Sequence, residues 1–262
     1  MEFETIITEE RGNAFIITLN RTKAKNAVNN QMCEDLAQAL EYWDTNDNLR
    51  ACILTNNGDV FCAGSDLKEI SKGINKLPEG KEDWGFACMT RKYWDKPLIA
   101  AVKGKCLGGG LEIVVSCDLA VCANDSIFGF PEPRVGLTAA GGGSLLRIGQ
   151  HIPVKFANEL LLTAEPIDAN TAHQWGIINH VVPEEDVLDK ALELAEKIAL
   201  GAPLAIQYSK RTLYETLGTE SIYPSKGWEI LDKYMDITHH SEDSIEGSTA
   251  FAEKRAPVWT GR

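Results

Sequence analysis

Two carboxylates sit in backbone settings that could put them to chemical use. Glu112 closes the run Gly108-Gly109-Gly110-Leu111-Glu112, which follows an apolar stretch, Leu98 to Val102, that reads as a strand. The three glycines then open a segment with helical spacing. A glycine run ahead of a helix lets backbone N–H groups approach a ligand with no Cβ in the way. The helix start adds unpaired donors and positive dipole, so the place suits a developing negative charge. A phosphate loop would carry Lys and then Ser or Thr after its last glycine, whereas Leu111 and Glu112 stand here. The spacing of a dinucleotide fingerprint is missing here and at Gly141 to Gly143. An oxyanion hole beside a carboxylic acid fits the pattern. So does a tight turn whose Glu112 only complements the helix dipole.

The second acid, Glu132, lies between Pro131 and Pro133, after the short strand pattern Ile127-Phe128-Gly129-Phe130. Two fixed φ angles limit its backbone and would pre-position the carboxylate, although a solvated turn acid would look the same. A second small-residue turn, Phe61-Cys62-Ala63-Gly64-Ser65-Asp66-Leu67-Lys68, follows a strand over Ala51 to Thr55. Taken alone it is a turn. Beside the turn at Gly109 it would aim a second backbone N–H at the same carbonyl oxygen, the minimum for an oxyanion hole. Glu112 and Glu132 could then hold a water between them, one as general base and one as general acid, with their proton affinities driven apart. Serine-hydrolase chemistry has no support, for Gly-x-Ser-x-Gly is absent.

The wider composition narrows the classes. Net charge is −12, with no basic patch, which disfavours nucleic acid and anionic membrane surfaces as partners. The seven cysteines are odd in number and show no zinc spacing, so they read as buried reduced thiols of a cytosolic protein. The five histidines are scattered, and no metal site is expected. Neither a signal peptide nor a membrane span is expected, which points to a cytoplasmic protein.

These residues need elements to carry them. Residues 3–8 and 14–19 read as a hairpin around Gly12 and Asn13. Met32, Leu36, Ala39, Leu40 and Trp43 make one face of a helix. The stretch from Ser71 to Asp95 is polar, then aromatic at Trp84, Phe86, Tyr93 and Trp94; it covers the site or anchors a surface helix. Strand, glycine turn and helix recur at 51–70, 97–117 and 127–149. From Pro153 helices dominate. One of them, with an apolar face from Val187 to Ile198, is expected to end in a C-cap at Gly201, and Ser241 caps the last. The pattern is α/β, with a core over 1–200 and a helical region over 201–262.

Several of these stretches carry a family likeness. They are Asn20-Arg21 with Asn26-Ala27, Phe61 to Lys68, Pro97 to Gly104 leading into Gly108 to Glu112, Phe128 to Glu132, and the ending Ser241 to Arg262. Together they resemble the enoyl-CoA hydratase/isomerase (crotonase) superfamily, over nearly the whole chain and in order. The resemblance implies a spiral of ββα turns with a C-terminal helical trimerisation region, assembled as a homotrimer or a dimer of trimers. By position it puts the oxyanion N–H groups on Ser65 and Gly109 and the two hydratase glutamates on Glu112 and Glu132. It lays CoA along Lys23, Ala24, Ala63, Ser65, Asp66, Leu67 and Lys68, with no cofactor or metal beyond the CoA of the acyl-CoA thioester. Ser65 and Thr22 replace an alanine and a proline more usual there. The implied reaction is syn addition of water across the C2–C3 double bond of a trans-2-enoyl-CoA, with Glu112 activating the water and Glu132 protonating C2. The stretch from His240 to Arg262 is also similar to carnitinyl-CoA dehydratases. In that case Trp84, Phe86, Tyr93 or Trp94 would face a trimethylammonium group. A family isomerase and a non-catalytic acyl-CoA binder are the other readings, and the presence of both glutamates speaks against each.

Overall fold

The hairpin at the start of the chain shows how side chains set the limits of each element. In this computed structural model, which describes residues 2–70, 72, 77–135, 137–139, 141–217 and 226–262, β1 (Ile6–Arg11) and β2 (Ala14–Leu19) pair antiparallel. The turn between them needs Gly12 at φ +58°. The first strand starts later than expected because the Thr5 N–H and hydroxyl both go to the buried carboxylate of Asp35, at 2.8 and 2.6 Å. Helix α1 (Asn30–Thr45) buries its whole expected face. The Asn29 side chain caps its start, accepting from the Met32 N–H at 3.0 Å. Lys96 closes its far end, donating to the carbonyls of Trp43 and Asn46 at 3.0 and 2.8 Å.

A repeated unit then takes over. It runs β3 (Ala51–Asn56), β4 (Val60–Cys62), α2 (Leu67–Ile70), and again β5 (Leu98–Val102), β6 (Lys105–Leu107), α3 (Gly109–Ser116). The third copy is β7 (Leu119–Ala123), β8 (Ile127–Gly129), a 3-10 turn over Glu132–Val135 and α4 (Ser144–His151). After it come α5 (Val154–Thr163), β9 (Ile167–Asp168), α6 (Ala169–Trp175), β10 (His180–Val182) and α7 (Val187–Ala199). The first strand of each copy joins a six-stranded sheet, β1-β2-β3-β5-β7-β10, and the second joins a four-stranded one, β4-β6-β8-β9. Within each sheet the repeat strands run parallel. Both faces of β3 and β5 are buried, so they appear in the sequence as continuous apolar runs. Periodicity does not reveal β4, β6, β9 or β10, which have only two or three residues each.

Gly104 makes the crossing from β5 to β6. It sits at φ +70°, and a Cβ there would stand 2.1 Å from the carbonyl oxygen of Asp59. Gly104→Ala is expected to cost roughly 2–4 kcal/mol, the sum of left-handed strain and backbone overlap. A lower urea midpoint at unchanged slope checks this.

Residues through Ala195 make one compact unit, and Glu196–Arg262 make a second. The second contains α8 (Pro203–Thr216), α9 (Lys226–His239) and α10 (Glu242–Glu253), with α8 packed on α9. Ser241 caps α10 as expected, its hydroxyl accepting from the Ser244 N–H at 3.1 Å. Gly201 donates to Ile198 at 3.0 Å but without the left-handed φ of a glycine C-cap. The final residues fold back on α10. Asp243 accepts from the N–H groups of Thr260 and Gly261 at 2.7 and 2.9 Å. Arg255 grips Glu246 with two nitrogens and, with the Val258 N–H, brings that carboxyl down to about 2. Positions 71, 73–76 and 218–225, where parts of the aromatic segment and of the helical tail were expected, lie outside the described residues.

Candidate active site

Parallel packing of β4, β6 and β8 carries three chain turns to one place, just beyond the carboxyl ends of neighbouring strands. Ser65 follows β4, Gly109 follows β6 and Glu132 follows β8. Val28 pins the first turn, donating to Gly64 O and accepting from the Asp66 N–H, both at 2.8 Å; this leaves the Ser65 N–H outside the bridge. Gly109 is the first residue of α3, so its N–H has no acceptor within the helix. The two turns nearly touch: a Cβ on Gly64, at φ +92°, would stand 3.1 Å from the Gly109 nitrogen. A Cβ on Gly110 would stand 2.3 Å from the Cys62 carbonyl oxygen, so glycine there lets α3 begin against the end of β4. Two backbone donors from adjacent turns are thus brought together, where dipole and hydrogen bonds favour an oxyanion.

The two carboxylates have unlike surroundings. Glu112, one turn into α3, is buried and accepts at Oε1 from the Ser144 hydroxyl at 3.1 Å and the Ser144 N–H at 3.4 Å. Its Oε2 lies against Gly141 and Gly142, where a Cβ would come within 3.4 and 3.3 Å. Glu132 packs its Oε1 against Gly108, which sits at φ +58° and where a Cβ would stand 3.0 Å from that oxygen. Its Oε2 is buried with no hydrogen-bond partner among the described residues. Burial pushes the Glu132 carboxyl above its ordinary value, and the nearby charge of Glu112 adds to the rise.

Beside the Ser65 turn opens a cavity of about 320 Å³, lined by Val28, Cys33, Phe86, Arg91 and Gly141 as well as Ser65. The ring of Phe86 lies on Gly109, where a Cβ would stand 2.4 Å from it. The chain leaves this position through left-handed residues, Ala87 and Cys88 at φ +54° and +53°. The other aromatic residues of the segment do not line the cavity. Trp84 meets Trp94 edge-on at 5.4 Å, and Trp94 packs on Trp43 at 5.8 Å, in the core. Their faces are already taken by the chain's own cations: Lys92 lies 4.0 and 3.9 Å from the two rings, and Lys81 lies 4.1 Å from Trp84. Tyr93 is exposed.

The residues expected to hold CoA form a strip on adjoining turns. Lys23 and Ala24 lie in a 3-10 turn, and the Ala63 N–H donates to Lys25 O at 3.1 Å just after it. Ala63, Leu67 and Lys68 are exposed beside them. Asp66 turns its carboxylate inward, to Arg21 at 3.1 Å and the Lys68 N–H at 3.1 Å. Although burial opposes it, the Arg21 guanidinium keeps that carboxyl below its usual value. Two residues of the site carry no sequence signal for it: Ser144 reads as a helix start, and Phe86 as one ring among four. All seven cysteines are buried and none is in a disulfide. Among the described residues no group of three His, Cys, Asp or Glu is placed to hold a metal ion, and no helix is long and apolar enough to cross a membrane.

Known proteins share this arrangement of the chain. The sequence profile of the enoyl-CoA hydratase/isomerase family matches residues 9–262. The chain is 36% identical to the carnitinyl-CoA dehydratase of Proteus mirabilis over 96% of its length and 97% of that protein's. It is 38% identical to an enoyl-CoA hydratase of Mycobacterium tuberculosis over 98% of its length and 96% of that protein's. The crystal structure of an enoyl-CoA hydratase from Mycobacterium marinum superposes with a TM-score of 0.91 at 42% identity, covering 98% of this chain and 99% of that one.

Proposed function

The chain belongs to the enoyl-CoA hydratase/isomerase family, and from that premise we propose that it adds water reversibly, and syn, across the C2–C3 double bond of a trans-2-enoyl-CoA thioester. One observation carries the reading. Two carboxyl groups stand beside a pair of backbone donors, one held by two hydrogen bonds and the other buried with an unpartnered oxygen. The N–H groups of Ser65 and Gly109 hold the thioester oxygen and stabilise the enolate. Glu112 takes a proton from water as the water oxygen bonds to C3. The electron pair of the double bond moves into the enolate. It returns to form the C2–H bond with the proton that Glu132 gives up, and dehydration runs the same steps backwards. Lys23, Ala24, Ala63, Leu67 and Lys68 line the path for CoA, while Asp66 shapes its turn. The proposal includes a homotrimer or dimer of trimers, with residues 201–262 as the oligomerisation region. It also places the enzyme in the cytoplasm, whose reducing environment suits seven unpaired thiols.

A second reading, a carnitinyl-CoA dehydratase, is favoured by one feature of the cavity: Glu82 and Phe86 both line it and would offer a carboxylate and a ring face to a quaternary ammonium. Loss of the conjugated enoyl-thioester absorbance, followed with crotonyl-CoA and crotonobetainyl-CoA side by side, separates the two. Turnover of crotonyl-CoA supports the general hydratase, and turnover of crotonobetainyl-CoA alone supports the second. No turnover of either by folded protein removes the support for both.

The same assay carries a pH prediction. Each direction requires one proton shared between the two glutamates, so the profile of kcat/KM is bell-shaped and the same in both directions. Its alkaline limb, where that proton is lost, is shifted upward because burial raises Glu132. A profile flat from acid to alkaline pH would contradict this assignment.

A further inference from the structure

A base that takes a proton from water must present one oxygen to the water while the other is held. Among the described residues, the Glu112 carboxylate is held on one side only. Its Oε1 meets the hydroxyl and the backbone N–H of a single residue, Ser144, which is completely buried at the start of α4. Its Oε2 faces Gly141 and Gly142, and Gly141 lines the cavity that Ser65 also lines. Gly142 has no room for a side chain, since a Cβ there would stand 2.7 Å from the Cβ of Glu112. The turn therefore closes over Glu112 and brings Ser144 onto its inner oxygen.

We propose that Ser144 is a positioning residue for the hydration reaction, one that anchors Glu112 Oε1 through its hydroxyl so that Oε2 alone is presented to the attacking water. This rests on the hydratase reading above. Ser144 is suited to the task because one small residue supplies two donors to one oxygen. An alanine would keep the N–H and lose the O–H. The hydroxyl also bonds to Ala139 O, so its single hydrogen serves two acceptors, and the test must separate an effect on Glu112 from a looser turn.

Two reactions of one protein make that separation. Hydration of crotonyl-CoA needs Glu112. Exchange of the C2 hydrogens of butyryl-CoA with D2O does not: it needs the oxyanion N–H groups and Glu132, which takes the C2 proton and returns a deuteron. In Ser144→Ala, kcat for hydration is expected to fall about 10- to 100-fold, the range for a lost hydrogen bond to a charged group, with KM little changed. The rate of C2 exchange, read by proton NMR, is expected to stay within about two-fold of wild type, since none of its groups is altered. Unchanged hydration overturns the inference, as does an equal fall of hydration and exchange, which would make Ser144 a structural residue of the turn. A wild-type protein that performs neither reaction overturns the hydratase reading and this inference with it.

Discussion

Glu132→Gln is expected to lower hydration of crotonyl-CoA by about 10²- to 10⁴-fold, the contribution of a positioned general acid, while binding of a saturated acyl-CoA stays close to wild type. The reason lies in what the side chain touches. Its Oε2 is buried with no hydrogen-bond partner among the described residues, and its Oε1 lies against Gly108. At that Oε2 no hydrogen bond to the described residues is lost when the acid becomes an amide. Folding stability points the same way. The folded state raises this carboxyl, so it holds the proton more tightly than the unfolded chain does. That contribution is fully present at pH below the unfolded value and is lost as pH rises through the folded one. At neutral pH the neutral amide therefore removes no stabilising charge. Hydration kinetics, isothermal titration with butyryl-CoA and a thermal melt check the three parts together. A loss of binding that matches the loss of rate would assign Glu132 to the framework instead.

Gly64→Ala is the second large effect. The residue lies at φ +92°, and its new methyl would stand 3.1 Å from the Gly109 nitrogen. It would press on one of the two N–H groups proposed to hold the thioester oxygen, and strain the turn that carries the other. Removal of one oxyanion donor typically costs about 10² to 10³ in kcat, and the same range is expected here. In the proposed mechanism both reactions pass through the enolate, so hydration and C2 exchange should fall together. That is the opposite of the pattern expected for Ser144→Ala. A variant that kept exchange and lost only hydration would contradict the assignment of these nitrogens.

How much of this was legible in the sequence depends on length and on distance along the chain. The face of α1 and the runs of β3 and β5 are long enough, and buried enough, to show as patterns. The glycines at 64 and 110 mark places where backbone approaches backbone, those at 108 and 109 take the Glu132 carboxyl and the Phe86 ring, and that is where the turns meet. The second strands, β4 and β6, have three residues each and no periodicity to read. Yet it is their pairing that brings Ser65 beside Gly109. Residue types suggest that convergence, and spacing alone does not establish it. The aromatic segment shows the same limit. Trp84, Phe86, Tyr93 and Trp94 look equivalent in sequence, and only the fold sends Phe86 to Gly109, Trp94 to Trp43 and Trp84 to Trp94. Ser144 meets Glu112 across 32 residues, a contact with no local signature.

In the proposed mechanism Glu112 and Glu132 deliver water and proton to one face of the double bond. Hydration of crotonyl-CoA in D2O, with the 3-hydroxybutyryl-CoA analysed by NMR, is the sharpest test. A single deuterium is expected at C2, on the same face as the new hydroxyl. Deuterium on the opposite face, or spread over both, would contradict the mechanism.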